Sequence, residues 1–223
     1  MPIAANTANL RFLLEKANAL PDAGGGGVTP SGTIEISVNG TYDVTEYANA
    51  EVNVPAGDTD IEDGIIRRTL SSYSNNRVTS VGRYSFAGWS ALKTIDLPNL
   101  VTIGNYAFNA SGITRAVFPK VTSVGSSSLY NCTSLALVDL PVVEEINAQA
   151  FAYSSKLETV IIRSTSVATL GNTNVFNNMP IKLGTGYIYV PSALVDSYKA
   201  ASNWSTYAAQ IRAIEDYPDI TGG

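Results

Sequence analysis

The stretch Val101-Thr102-Ile103-Gly104, with Phe108 four residues further on, decides the fold because it recurs along the chain. Its counterparts begin at Val78, Val121, Val143 and Val167. Successive copies start 23, 20, 22 and 24 residues apart. A period in this range is typical of a solenoid, in which each repeat forms one coil and stacks on its neighbours. The sequence therefore predicts a solenoid of about five coils over residues 65–191, roughly 25 Å long at about 4.8 Å per coil.

Every copy repeats the same apolar positions, and we expect these to form the core. They are Val81, Phe86, Leu92, Ile103, Phe108, Ile113, Val124, Leu129, Leu135, Ile146, Phe151, Leu157, Leu170 and Phe176. A short alternating run such as Ile95-Asp96-Leu97 closes each copy, which predicts a strand with one face inward and one outward. On this pattern Asp96 and Asp139 should point outward. Proline follows the run in four copies and marks the strand end, because proline cannot donate to a ladder.

The consensus V-T-x-I-G-x-x-A-F-x-x-x-x-x-L-x-x-I-x-L-P resembles the BspA-type leucine-rich repeat over residues 78–191. This resemblance implies a mainly β solenoid with short helices. The fourth copy departs from the consensus, since Asn147 replaces the usual Gly and Arg163 the usual Pro. After the last copy, Trp204, Tyr207, Ile211 and Ile214 continue at helical spacing. We therefore expect a helical cap over residues 192–217, with Ser192 as its N-cap, and a tail over 218–223.

Residues 1–23 are predicted to form a helix with one apolar stripe. The stripe consists of Leu10, Leu13, Leu14, Ala17 and Leu20. A helix of this length is marginal alone in water, so it needs a partner in its own chain, in sister chains or in a larger assembly. The Gly-rich linker at 24–30 favours a partner outside the domain, because it uncouples the helix from the rest of the chain. We interpret the stripe as an anchor that assembles the chain into a homotrimer.

Residues 31–56 are predicted to form a small β module with a hairpin turn at Asn39-Gly40. Residues 57–64 are predicted to be an acidic linker; they match a calcium loop poorly, because the glycine falls one place late and no acidic residue stands at the twelfth position. The segments 6–24 and 39–55 resemble parts of tail and fibre proteins from phages and prophages of Gram-positive gut bacteria. That resemblance implies a fibre or decoration on the virion surface.

Composition excludes several classes of function. The net charge of -5 disfavours nucleic acid as a partner, because its binding depends on basic surface. The chain has no histidine, which excludes a Ser–His–Asp triad and histidine metal sites. Its one cysteine, Cys132, is expected in the core. We therefore predict no catalytic residues, no cofactor and no metal site. No apolar run is long enough to span a membrane, and no signal peptide is expected.

Surface recognition is the function that these exclusions leave. Repeat positions carry Tyr73, Tyr84, Trp89, Tyr106, Tyr130 and Tyr153, of which Trp89 and Tyr153 are expected to be exposed and to form a ligand surface. We expect a non-enzymatic virion protein whose N-terminus binds capsid or tail proteins. Its repeats would bind glycans or proteins of the host surface or mucosa. The alternative is a bacterial cell-surface adhesin that acts as a monomer.

Overall fold

A computed structural model of the chain describes residues 33–35, 51–53, 60–61, 72–74, 76 and 78–221. The strands are β1 (Thr33–Glu35), β2 (Glu51–Asn53), β3 (Asp60–Ile61), β4 (Ser72–Ser74), β5 (Ser80–Val81), β6 (Thr94–Asp96), β7 (Thr102–Ile103), β8 (Arg115–Val117), β9 (Ser123–Val124), β10 (Leu137–Leu140), β11 (Glu145–Ile146), β12 (Thr159–Ile162), β13 (Thr169–Leu170), β14 (Tyr187–Val190) and β15 (Ile211–Ala213). The helices are short, and none in these ranges is long and apolar enough to cross a bilayer.

The strands form two long parallel sheets, and each coil contributes strands to them in turn. The sheet of two-residue strands has the order β13-β11-β9-β7-β5-β3. The sheet of longer strands has the order β15-β14-β12-β10-β8, and β4 pairs with β6 beside it. Equivalent residues of successive coils are in register, as Ile103 is with Val124 and Val138 with Val160. This arrangement confirms the predicted mainly β solenoid.

The core lies between the two sheets and the turn segments that join them. All fourteen core residues named from the sequence are buried. Stacked rings connect the coils, because the ring centroids of Phe86 and Phe108 are 5.1 Å apart and those of Phe151 and Phe176 are 5.7 Å apart. Since no coil could bury these side chains alone, stability depends on the interfaces between neighbours.

The turn segments are held by hydrogen bonds from each coil to the next. Tyr106 N–H donates to the carbonyl of Ser126 at 3.0 Å, and Ser127 N–H to that of Ala148 at 2.9 Å. Further along the turn, Tyr153 N–H donates to the carbonyl of Asn177 at 2.9 Å. The donors in these bonds have positive φ. The left-handed conformation therefore recurs because it aims an N–H along the solenoid axis.

The solenoid has one more coil than the sequence predicted. Asp60–Ile61 pairs with β5, although it falls within the predicted acidic linker. Ser72–Ser74 pairs with β6, and this strand was not predicted from the sequence. Tyr73 is buried in this strand with its ring 5.3 Å from that of Phe86. The added coil therefore covers the first stacked ring of the core.

The C-terminal region is only partly helical. Its α-helices span Val195–Ala200 and Pro218–Thr221, and its 3₁₀ helices span Ser192–Leu194, Trp204–Gln210 and Ile214–Asp216; a further α-helix, Pro180–Leu183, lies within the last coil. The prediction of a purely helical cap was wrong at Ile211–Ala213, which adds a strand to the edge of β14. A tail was expected where the last helix lies. Ser192 is not the N-cap, because Pro191 holds that position. The N–H of Ser192 donates to the Glu215 carboxylate at 2.9 Å.

Side chains of the cap bind the free backbone groups of the last coil. Trp204 Nε1 donates to the carbonyl of Ala168 at 2.6 Å, and Asn203 Nδ2 donates to that of Leu170 at 2.7 Å. The Tyr198 hydroxyl accepts from the N–H of Ala168 at 3.0 Å. These bonds replace the ones that a further coil would make, and they end the solenoid.

The N-terminal predictions fall mainly on residues that the structure does not describe. The anchor stripe at 1–23, the linker at 24–30 and the hairpin turn at Asn39-Gly40 lie outside the described residues. Within the predicted β module, β1 and β2 form a parallel pair.

Candidate binding surface

The prediction that Trp89 is exposed was wrong. Trp89 is only 3% exposed, and its ring packs edge-on against Phe86 with centroids 4.8 Å apart. It occupies the third position after the Phe or Leu anchor of its coil. The equivalent residues of the later coils, all buried, are Ser111, Cys132, Ser154 and Met179. Trp89 is therefore part of the core, as is Tyr73, and neither contributes to a ligand surface.

Tyr153 lies on the surface, where it is 39% exposed. It stands one position before the buried column that contains Trp89. Its ring contacts that of Tyr130 in the preceding coil, with centroids 5.0 Å apart and ring planes inclined by 42°. Because Tyr130 is half-buried, it supports the Tyr153 ring without covering it.

A second pair of tyrosines lies on the turn segments of the two preceding coils. The rings of Tyr84 and Tyr106 are stacked with centroids 5.0 Å apart. The guanidinium of Arg83 lies 4.8 Å from the centre of the Tyr84 ring and 5.8 Å from that of Tyr106. We call Tyr84, Tyr106, Tyr130 and Tyr153 the turn-side tyrosines. Four successive coils thus each place one tyrosine on the same side of the solenoid, and sequence reasoning selected only Tyr153.

Three of the turn-side tyrosines have a backbone conformation that tyrosine adopts with difficulty. The φ angles of Tyr84, Tyr106 and Tyr153 are 62°, 59° and 64°. The left-handed region costs most L-residues roughly 1–2 kcal/mol, whereas glycine and asparagine enter it readily. In the other coils the position of Tyr153 is occupied by Gly88, Ala110, Asn131 and Asn178, all with positive φ. Tyrosine is therefore not the residue that the local backbone favours there.

The outward face of the longer-strand sheet is less open than alternation predicted. Asp139 was expected to point into solvent but is only 8% exposed. The side chain of Arg163 lies over it, with Nη2 3.1 Å from Oδ2. Asp96, at the equivalent position two coils earlier, is exposed and accepts a hydrogen bond from Ser74 Oγ at 3.1 Å. The two carboxylates therefore have separate structural partners.

Cys132 lies in the core among polar groups from neighbouring coils. Its thiol donates to the carbonyl of Phe108 at 3.0 Å and lies 3.5 Å from Ser111 Oγ. Burial raises the pKa of the thiol to about 11, although the hydrogen bonds from Ser111 and Ala110 act in the opposite direction. Since the thiolate is the reactive form, this cysteine is poorly suited to nucleophilic chemistry at neutral pH. Within the described ranges, no three potential metal ligands of the Cys, Asp or Glu type come together.

The family follows from the repeats themselves. Residues 69–182 match the BspA type leucine rich repeat region in six copies, which is just over half of the chain. This chain belongs to the BspA-type leucine-rich repeat family. The six copies begin before Val78, in agreement with the additional coil. Proteins with BspA-type repeats are generally non-catalytic and are often exposed on surfaces.

A solved structure is also similar to this BspA-type protein. It is a leucine-rich repeat protein from Bacteroides ovatus, with 26% sequence identity and a TM-score of 0.42. The match covers 64% of this chain, which spans 39% of the length of that protein. A comparison with curated proteins gives no match.

Proposed function

We propose that this BspA-type protein is a non-enzymatic recognition protein on a phage virion. Its repeats would bind glycans or proteins of the host surface or mucosa. The observation that carries the recognition role is the series of turn-side tyrosines on four successive coils. Tyrosine suits recognition because its ring gives flat apolar contact and its hydroxyl hydrogen-bonds. A virion location is supported by the resemblance of segments 6–24 and 39–55 to phage fibre proteins.

The N-terminal stripe would attach the protein to the particle. Leu10, Leu13, Leu14, Ala17 and Leu20 give one apolar face, and a helix this short becomes stable only against a partner. Capsid or tail proteins and two sister chains are the partners that we propose. The Gly-rich linker would then let the repeats project away from the particle.

Deletion of residues 1–27 tests the attachment. The full-length protein should be a trimer by light scattering after size exclusion, and the 28–223 variant should be a monomer that no longer labels purified particles. A deleted protein that decorates particles at full occupancy would contradict the anchor. A full-length monomer that is found on bacterial cells and not on particles would instead establish the cell-surface adhesin.

A further inference from the structure

We propose that Tyr153, supported by Tyr130, forms a binding site for a neutral pyranose sugar of a surface glycan. This inference rests on the proposed recognition role and names the ligand class and the site. The exposed ring of Tyr153 is the platform, and Tyr130 holds it from the preceding coil with the centroids 5.0 Å apart.

The backbone at Tyr153 indicates that the ring is retained for something other than folding. Its φ is +64°, a conformation that favours glycine or asparagine. Its N–H donates along the solenoid to Asn177, a bond that any residue except proline could make. Its ring is more exposed than those of the other turn-side tyrosines and lies outside the core. A strained, exposed aromatic residue of this kind is expected at a ligand site.

The surroundings favour a sugar over a protein partner. The neighbouring exposed or half-buried residues on these two turns are mostly small or uncharged and polar, among them Asn131, Gln149 and Ser155, and Lys156 is the charged residue beside them. The large exposed aliphatic side chains, such as Val101, Val142 and Leu183, lie on other segments of the coils. A protein interface requires a continuous apolar centre around its aromatic anchors. A pyranose requires one aromatic face, whose negative charge attracts the sugar C–H groups, with amides and hydroxyls beside it to bind the sugar hydroxyls.

Substitution of Tyr153 by asparagine separates binding from folding. Tyr153→Asn removes the ring and introduces a residue that suits positive φ, so its melting temperature should equal or exceed that of the wild type. Its affinity should fall about tenfold, the effect expected for one lost aromatic contact. Tyr153→Phe keeps the ring and should keep most of the affinity. Gly88→Asn is the matched control, because it occupies the same position three coils away, where an added Cβ meets no atom within 4 Å.

The binding measurements use the full chain with two probes, an array of immobilised neutral oligosaccharides and purified gastrointestinal mucin before and after periodate oxidation of its glycans. Support requires binding that periodate abolishes, that Tyr153→Asn weakens and that Gly88→Asn leaves unchanged. Unchanged affinity in Tyr153→Asn, or binding to neither probe, would overturn the sugar site.

Two other outcomes have distinct meanings. Binding that resists periodate and is lost on proteolysis of the mucin would overturn the sugar as ligand while preserving the recognition role. A lower melting temperature for Tyr153→Asn would overturn the inference that this residue is retained against the preference of the backbone. Failure of the proposed function shows separately, as protein that neither labels particles nor binds host cells.

Discussion

Glycine follows the short strand of most coils, at a place where two coils approach closely. At Gly125 an added Cβ would lie 2.6 Å from the carbonyl oxygen of Ile103 and from the carbonyl carbon of Gly104. Both neighbours are backbone atoms, which cannot turn aside as a side chain can. The spacing between coils therefore requires glycine at Gly125, although the fourth coil carries Asn147 at the equivalent position.

Gly125→Ala should destabilise the protein by about 1–3 kcal/mol, because the coils must separate to admit the methyl group. Chemical denaturation followed by circular dichroism would measure the change. Gly88→Asn is the control, since its site is open and asparagine tolerates positive φ. Equal stability of Gly125→Ala and the wild type would show that the coils can move apart freely.

The Cys132 thiol should make stability depend on pH in the alkaline range. Its pKa is raised from 9.0 to about 11 by burial, so the folded state holds the proton over a range in which the unfolded state has lost it. This contribution is fully present below pH 9 and is lost as the pH rises toward about 11, for a total of about 2–3 kcal/mol.

Cys132→Ser tests this pH dependence, because serine already occupies the equivalent positions at Ser111 and Ser154. Between pH 8 and pH 11 the melting temperature of the wild type should fall further than that of the variant. Buried tyrosines such as Tyr198 also have a raised pKa, but they titrate in both proteins. If the melting temperatures of the wild type and of Cys132→Ser fall equally over this pH range, the thiol does not contribute to the pH dependence of stability.

The burial of Trp89 could have been predicted by comparing residues at equivalent positions of different coils instead of the spacing of residues within one coil. Trp89 follows its anchor Phe86 by three residues, as Cys132 follows Leu129, and Cys132 was already expected in the core. The exposure of Tyr153, two residues after its anchor, was predicted from the sequence. Its positive φ was not, because nothing in the sequence shows that the N–H at this position must point along the solenoid axis.

Arg163 follows strand β12 at the position where proline follows the equivalent strands, and the structure gives the reason. Arg163 Nε and Nη2 both donate to the carboxylate of Asp139 on β10, at distances of 3.1 to 3.4 Å. The carboxylate would otherwise be almost buried without a counter-charge. Arg163, which departs from the consensus, therefore compensates for the nearly buried charge of Asp139.

Arg163→Ala should cost about 1–3 kcal/mol, less than for a fully buried pair, because the side chains of Arg163 and Asp139 keep 31% and 12% of their exposure. The double variant Asp139→Val/Arg163→Pro should recover most of the loss, since Val117 and Pro141 occupy these positions in neighbouring coils. Denaturant unfolding of the wild type, Asp139→Val, Arg163→Pro and the double variant gives the coupling free energy between the two side chains. Additive losses would mean that the two side chains act independently.

Strands at both ends of the solenoid were missed because pairing between coils decided them. The sequence of Ile211–Ala213 fits the helical spacing of Trp204 and Tyr207, yet Ile211 pairs in register with Ile188. Likewise, Ser72–Ser74 is too polar to indicate a strand, apart from Tyr73, which pairs with Ile95. Local pattern therefore predicted the interior coils well, whereas at both ends of the solenoid the available sheet edge determined the structure.

At the scale of the whole molecule, the cap determines whether the solenoid stays separate from other solenoids. Trp204, Asn203 and Tyr198 bind backbone groups that the last coil would otherwise present to solvent. Tyr207 covers the last stacked ring, with its own ring 5.0 Å from that of Phe176. Without these residues the C-terminal end of the solenoid would be an open sheet edge, whose unpaired N–H and C=O groups can pair with another chain.

Truncation after Pro191 should therefore cause association or aggregation at concentrations where the full chain is stable. Light scattering of both proteins measures the effect. Trp204→Phe is the control: it keeps an aromatic ring, removes one hydrogen bond and should lose about 1 kcal/mol without a change in mass. A truncated protein that associates no more than the full chain and has the same melting temperature would contradict the role assigned to the cap.

The hydrogen bonds that join the turn segments of interior coils have the same donor and acceptor positions at successive junctions. A coil inserted between two others, or removed from between them, would leave a junction of the kind already present. Length can therefore change by whole coils during evolution without the invention of a new interface. Each duplication would move the outermost surfaces apart by about 4.8 Å, so the reach of such a protein can be tuned independently of what it binds.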